Sequence, residues 1–502
     1  MRVVPAGLPS VKHQPKEIEM DEIAFRSASA LALSIRNKEL GSRELLELYL
    51  QRIERLNARI NAVVTLDIER ARQRADLADA ATLRGENWGP LHGVPMTVKD
   101  LFEVEGLRTT AGAIPGHIPS ANASAVQRLI NAGAVIFGKT NVSIFGGDVQ
   151  SYNPIFGISN NPWDVTRTPG GSSGGAAAAL AAGLTGLELG SDLASSIRLP
   201  AHNCGVYGHK PSHGLVSLRG HIPGPPGTLT EPDIAVAGPL ARSADDLMIT
   251  LDILAGPASD RAVAWQLKLP TARHATLRGF RVATWFNEGD CEIDCEILER
   301  YQDVVDALRN EGVVIDQNAR PAFSFAHAHQ VFVSMLLSLQ SPGMPLEEFR
   351  NLALRADHLS PDDDGIVAEF ARGTTLRHRE WAMLNEARLR MRAAWGNFFR
   401  DYDVLLCPVA PTAAIPHDHS EPLFDRIIEV NGKPQSYLNL MSWGGIIGVT
   451  HMPATVAPVG RTKAGLPFGI QIVGPYLEDR TPIAFALHLA DVIGGFQVPP
   501  EY

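Results

Sequence analysis

The chain has 502 residues, 45% hydrophobic and 20% charged, with mean hydropathy near zero. Intrinsic disorder is excluded as the main state, because the apolar material suffices for a large core. Lys and Arg total 45 against 55 Asp and Glu, a net charge of −10, which argues against nucleic-acid binding, since that demands a basic face.

Four cysteines are present, Cys204, Cys291, Cys295 and Cys407, with no CxxC pair. Cys291 and Cys295 stand at i, i+4 on an expected helix. Carboxylates but no histidines lie near them, so free thiols are expected rather than zinc ligands. Cysteine scarcity fits a reducing compartment, and cytoplasmic localisation is expected. The start of the chain, MRVVPAGLPSVKHQPKEIEM, has no apolar stretch of signal-peptide length. The uncharged runs Gly174–Leu187 and Ser442–Gly460 fall short of the roughly 20 strongly apolar residues of a membrane span.

In chain order, residues 1–18 read as a flexible arm. From Met20 to about Ala81 the pattern is helical. Ser42 is the expected N-cap, with Glu44 in the first turn, and Leu45, Leu46, Tyr49, Leu50, Ile53 and Leu56 form an apolar stripe. Beyond residue 90, short apolar runs (Val94–Val98, Ala134–Phe137) alternate with helical stretches (Ala123–Ala132). That alternation predicts an α/β fold around a mixed, mostly parallel sheet. Residues 168–227 are rich in Gly, Ser, Ala and Pro, yet carry Asp192, Arg198, Cys204 and Lys210, unlike a linker. Residues 270–400 are charged and helical, with one helix marked by Trp381, Leu384, Met391, Trp395 and Phe398. Val404–Leu406 and Gly469–Val473 read as strands, and a last helix is expected from about Pro482. No internal repeat is found.

Three motifs compete in the glycine-rich half. Gly133-Ala-Val-Ile-Phe-Gly138-Lys139-Thr140 fits the phosphate-loop pattern GxxxxGK[ST]. Its intervening residues are those of a buried strand, however, not of a loop whose N–H groups cradle phosphate. Gly170-Gly171-Ser172-Ser173-Gly174 fits the nucleophile elbow GxSxG. The preceding residues 160–169 are polar and proline-broken where an elbow needs a strand. His451 or His417 would be needed to complete a Ser-His-Asp set centred on Ser172.

The third treats Thr168 to Ser212, TPGGSSGGAAAALAAGLTGLELGSDLASSIRLPAHNCGVYGHKPS, as one constellation. It resembles the signature of the amidase signature family, with GGSSGG at 170–175, GSD at 190–192 and SIRLP at 196–200. Gly93-Val-Pro-Met-Thr-Val-Lys99-Asp100 resembles that family's lysine motif. Similar segments follow at 138–141, 161–164, 238–243 and 465–471. The resemblance covers about residues 25–260 and 400–490.

The resemblance implies a three-layer α/β/α fold and one amidase domain over residues 1–502. Within it, 19–85 would be N-terminal helices, 86–260 and 401–502 the core, and 270–400 a variable helical pocket region. It implies Ser196 as nucleophile, Ser172 as bridging serine after a cis peptide bond, and Lys99 as base. The residue types suit the chemistry. A serine hydroxyl is a poor nucleophile until deprotonated, and lysine is a base only when burial keeps it neutral. The implied oxyanion donors are the backbone N–H groups of Leu193, Ala194, Ser195 and Ser196, each such donor being worth about 3–4 kcal/mol. Gly171, Ser173, Asp192 and Arg198 are implied supports. The sequence departs from the family where Ala194 and Ser195 replace the usual glycines, and where His209 replaces a more usual leucine.

The expected reaction is hydrolysis of a small-molecule carboxylic amide through an acyl-enzyme. Esters and carbamates are plausible further substrates, which would make the enzyme a urethanase as well. No metal or organic cofactor is implied, and the family resemblance favours a homodimer. The rival reading is the amidase-like subunit of a tRNA-dependent amidotransferase. Lys139 and Lys210 are expected to be structural. His327/His329 and His417/His419 have the HxH spacing that puts two ligands on one face of a strand, but no third ligand stands near.

Overall fold

The computed structural model describes residues 20–222, 228–258, 260–289, 291–360, 362–363 and 365–502. The arm expected at 1–18 lies outside the described residues.

Eleven strands form one sheet. They are β1 (Val63–Leu66), β2 (Pro95–Lys99), β3 (Val135–Thr140), β4 (Glu188–Asp192), β5 (Tyr207–Lys210), β6 (Val236–Ala241), β7 (Arg281–Thr284), β8 (Val314–Asp316), β9 (Val404–Pro408), β10 (Ala454–Arg461) and β11 (Pro467–Val473). Their spatial order is β1-β3-β2-β4-β6-β5-β10-β11-β9-β7-β8. The sheet is mixed and the fold is α/β. Parallel pairing forms two runs, β3-β2-β4 and β9-β7-β8, and the strands between them are antiparallel. β2, β4 and β9 are buried along their whole length, which explains why β9, Val404–Pro408, is apolar throughout. Residues 270–400, expected to be helical, also supply β7 and β8, which extend the sheet at one edge.

The helical N-terminal stretch is interrupted. α1 (Ala28–Arg36) and α2 (Ser42–Ile60) precede β1, and α3 (Ile68–Leu83) follows it. Ser42 is the first helical residue rather than the cap. Gly41 takes the cap position, and its N–H donates to the Glu44 carboxylate at 3.2 Å. Ser42 instead donates its hydroxyl to the Gly93 carbonyl at 2.6 Å, tying α2 to the start of β2. The stripe on α2 is buried as its period predicts, except Leu50, which is half-buried.

After β3 the chain enters α5 (Gly174–Ala181), having passed α4 (Ser124–Asn131) between β2 and β3. α5 is buried on every side and lies against β2, β3, β4 and β6, which accounts for its small, uncharged residues. α6 (Arg198–Cys204) packs on α5 and on β11, and α7 (Ala244–Leu254) packs on β6.

α8 (Cys295–Asn310) starts at an Asp294 cap. Cys291 therefore lies before the helix, buried, while Cys295 is exposed at its first turn. The i, i+4 helical pairing of the two is not formed.

α9 (Phe325–Ser338) carries His327 and His329, which are therefore not on a strand. α10 (Leu346–His358), α11 (Ile366–Thr374) and α12 (His378–Phe398) follow, and α12 buries Arg388, Met391, Trp395 and Phe398. α13 (Ser442–Val449) and α14 (Arg480–Ile493) complete the chain. One hydrophobic cluster joins residues from Ala24 to Leu489. Among the described residues no helix is long and apolar enough to cross a membrane.

Candidate active site

The last residues of β2 pair in parallel with the first of β4, Thr97 opposite Glu188 and Val98 opposite Leu189. Lys99 closes β2 and is wholly buried. Its ammonium nitrogen lies 2.8 Å from Ser172 Oγ, 3.0 Å from Ser191 Oγ and 3.2 Å from the Ser191 carbonyl. Burial pulls its pKa down to about 7, although the Asp192 and Glu188 carboxylates oppose the shift. Burial pushes Glu188 the other way, to about 8, against hydrogen bonds from Thr97 and Thr140. Two groups that would each carry charge in water are thus held near neutrality beside one another.

Ser172 follows a cis Gly171–Ser172 peptide bond, as the resemblance implied. The loop carrying it is pressed against residues 149–150. A Cβ on Gly171 would lie 2.5 Å from the Gln150 nitrogen, so only glycine fits. Ser151 Oγ donates toward the Gly170 and Ser172 carbonyls at 3.1 and 3.3 Å and receives the Gly174 N–H at 2.9 Å. No strand enters this loop directly, so the elbow geometry is absent. The partner of the Ser172 hydroxyl is a lysine, not a histidine. His451 instead stacks on His213 at 4.2 Å, and among the described residues no hydrogen bond joins His417 to a serine.

Ser196 belongs to the loop between β4 and α6 and is nearly buried. Its carbonyl accepts the Ser173 N–H at 3.1 Å, which ties the two serine loops together. Asp192 shapes that loop. Its carboxylate accepts the N–H groups of Ser195 and Ile197 at 3.0 Å each and of Arg198 at 3.3 Å. Arg198 adds two guanidinium bonds to it, at 3.0 and 2.7 Å. Burial raises the Asp192 pKa, but the adjacent guanidinium outweighs it and leaves the group at about 2. Arg198 is held in turn by the Gly444 carbonyl at 2.7 Å and Gln471 Oε1 at 2.8 Å.

This network alters the expected oxyanion set. The Ser195 N–H points at Asp192 and is already engaged. Among the described residues the N–H groups of Leu193, Ala194 and Ser196 have no protein acceptor. Ser195 sits at φ +125°, in a region that favours glycine, and its buried hydroxyl has no hydrogen-bond partner among the described residues.

The remaining sequence candidates are structural. Lys139, the lysine of the phosphate-loop match, is a buried strand residue of β3. Its ammonium binds Asp100 at 3.1 Å, the Phe102 carbonyl at 2.6 Å and Thr109 at 3.0 Å, leaving no cradle for phosphate. His209 lies in β5 between Thr455 Oγ1 at 2.9 Å and Asp479 Oδ1 at 3.2 Å. The His417 and His419 rings are 5.6 Å apart. No group of three or more metal-ligating side chains occurs among the described residues.

Three site residues escape local pattern reading. Ser191 and Glu188 meet Lys99 only because β4 pairs with β2. His221 stacks on Phe102 at 4.8 Å. Burial, with the Lys99 charge adding to it, holds its pKa down at about 3, and among the described residues neither ring nitrogen has a hydrogen-bond partner.

Comparison with known proteins agrees with this architecture. An acylamidase of Rhodococcus erythropolis is 32% identical over 474 residues, covering 93% of this chain and 95% of that protein. A glutamyl-tRNA(Gln) amidotransferase subunit from Bdellovibrio bacteriovorus is 30% identical, covering 94% of this chain and 99% of that protein. The crystal structure of an amidase superposes with a TM-score of 0.75 at 28% identity, covering 93% of this chain and 100% of that one. The family model described as Amidase matches residues 44–482, and the chain belongs to the amidase family, the amidase signature enzymes.

Proposed function

We propose that this enzyme hydrolyses carboxylic amides of small molecules through an acyl-enzyme on Ser196. The observation that carries this is the buried Lys99 ammonium, 2.8 Å from Ser172 Oγ with a pKa near 7. A neutral lysine there accepts the Ser172 proton as Ser172 takes the proton of Ser196. Ser196 Oγ bonds to the carbonyl carbon, and the C=O electron pair moves to oxygen. The free N–H groups of Leu193, Ala194 and Ser196 receive that oxyanion. Collapse breaks the C–N bond, and the amine leaves with the proton returned through Ser172. Water, deprotonated along the same relay, then displaces the acyl group as a carboxylic acid and restores Ser196. Esters and carbamates meet the same requirements, since each offers an acyl carbon and a leaving group.

The test is the purified chain alone on a panel of aliphatic amides, aryl amides, carbamates and esters. Turnover of amides without added protein or tRNA supports the reading. Activity that emerges only with partner proteins and tRNA would replace it with the amidotransferase role of some relatives.

A further inference from the structure

A second cluster of ionisable groups borders the Leu193–Ser196 stretch and takes no part in the relay. A methyl added at Gly448, in the last turn of α13, would lie 3.5 Å from the Leu193 carbonyl oxygen. His451 lies three residues further on, its N–H bonded to the Gly448 carbonyl at 2.9 Å. Its ring stacks on His213 at 4.2 Å and contacts Arg392 at 3.2 Å. Arg388, one turn earlier on α12, pairs with Asp233 at 2.8 Å and with the Asn385 side-chain oxygen. Asp233 stands three residues before Val236, the strand partner of Asp192. Lys210 completes the group, with its ammonium on the Pro211 carbonyl at 2.9 Å.

The charge balance of this cluster is uneven. Arg388 and Arg392 are cations, burial holds the Lys210 pKa down at about 7, and the histidines add no negative charge. Among the described residues Asp233 pairs with Arg388 alone; Asp192 and Asp479, the carboxylates facing Lys210, are bound elsewhere, to Arg198 and to Ser212 and His209. Among the described residues neither Arg392 nor Lys210 forms an ion pair. Arg388 is 4% exposed and His451 5% exposed, yet among the described residues Arg388 Nε and His451 Nε2 have no hydrogen-bond partner. A buried guanidinium donor left empty costs stability, unless a ligand fills it. His213, Arg392 and Asp233 are partly exposed and open the cluster to solvent.

We propose that this cluster receives a carboxylate carried by the substrate, so that the preferred substrates are amides with an acid group remote from the scissile bond. This rests on the amide-hydrolase reading. A carboxylate presents two acceptor oxygens in the plane that a guanidinium donates into. Its charge would also meet the Arg392 guanidinium, which lacks a counter-charge, and favour the protonated form of Lys210.

The experiment is a wild-type kinetic series: anilides of dicarboxylic half-acids of increasing chain length, each beside the methyl-terminated anilide of equal length. The expected result is a preference of about tenfold or more in kcat/KM for the acid at one length, as suits charge-assisted hydrogen bonds. Arg388→Gln should then raise KM for the acid far more than for its neutral match, with Arg388→Lys restoring part of the preference. Equal or better turnover of the neutral series at every length overturns the proposal, and this arm needs no variant to fold. An Arg388→Gln effect equal on both series also overturns it. Failure of the whole panel, neutral and acidic, would instead sink the amide-hydrolase reading itself.

Discussion

Lys99 and Ser172 stand 2.8 Å apart, joining the end of a buried strand to a loop more than seventy residues away. The lysine is surrounded by serine oxygens and burial rather than by a paired carboxylate. It can act as a base only in its neutral form. Activity should therefore fall as pH drops through the Lys99 pKa of about 7 and level off above it. A pH profile of kcat/KM with its acid limb within about one pH unit of 7 is expected. A limb near the ordinary lysine value of about 10.4 would remove Lys99 from the role.

The same shift has a sign in stability. The folded pKa lies below the unfolded one, so between about 7 and about 10.4 the unfolded chain binds a proton that the folded chain does not. Stability rises with pH across that window, and the full cost is felt below it. Lys99→Met should abolish turnover while stabilising the fold most at pH 6 to 7. Denaturant midpoints measured from pH 6 to 10 check this: the gap between wild type and variant should narrow as pH rises.

Ser196 and Ser172 should separate on mutation. Ser196→Ala should abolish turnover, with no acyl adduct on the 192–200 peptide by mass spectrometry. Ser172→Ala should slow the reaction by about 10²- to 10⁴-fold, the usual worth of one proton-transfer group, while a slowly deacylating carbamate still labels Ser196. A label on Ser172 in the wild type would reverse the two assignments.

Ser195 and Gly444 make a second testable pair. Ser195 holds a glycine-favouring φ of +125°, and a Cβ on Gly444 would lie 2.6 Å from its hydroxyl and 2.7 Å from its Cβ. Gly444→Ala should push the loop that carries Ser196 and cut kcat by an order of magnitude or more. Ser195→Gly removes both clashing atoms and relieves backbone strain of about 1 kcal/mol. The double variant should recover most of the activity lost in Gly444→Ala. Additive losses would show that the two residues are not coupled.

How much of the molecule is legible in the sequence depends on what fixes each residue. Lys99, Ser172 and Ser196 sit in stretches where tight loops dictate nearly every letter. At Gly171, for example, a neighbouring backbone leaves no room for a side chain. The strand–helix alternation beyond residue 90 is equally direct. β1, four residues long, is lost between two helices because so short a run has no period to read. Ser191, Glu188 and the Arg388 cluster meet through sheet register and helix packing, which no local pattern encodes. The Ser195 N–H reads as an oxyanion donor from the motif alone, because only the folded loop brings the Asp192 carboxylate round to accept it.

Asp192 and Arg198 give the last prediction. Both are wholly buried, and together they satisfy three loop N–H groups and anchor the helix that follows Ser196. Removing one partner strands the other's charge, which typically costs about 3–5 kcal/mol. Arg198→Met leaves an unpaired carboxylate, and Asp192→Asn an unpaired guanidinium with weaker acceptors for the loop. Each should lower the denaturation midpoint and kcat together. The folded pKa of Asp192, about 2, lies below that of a free aspartate, about 3.9. Its contribution to stability is therefore complete above about pH 4 and lost as pH falls toward 2. Acid unfolding followed from pH 5 downward should accordingly start at higher pH in Arg198→Met than in wild type. An unchanged acid transition would mean that the pair does not hold the loop that carries Ser196.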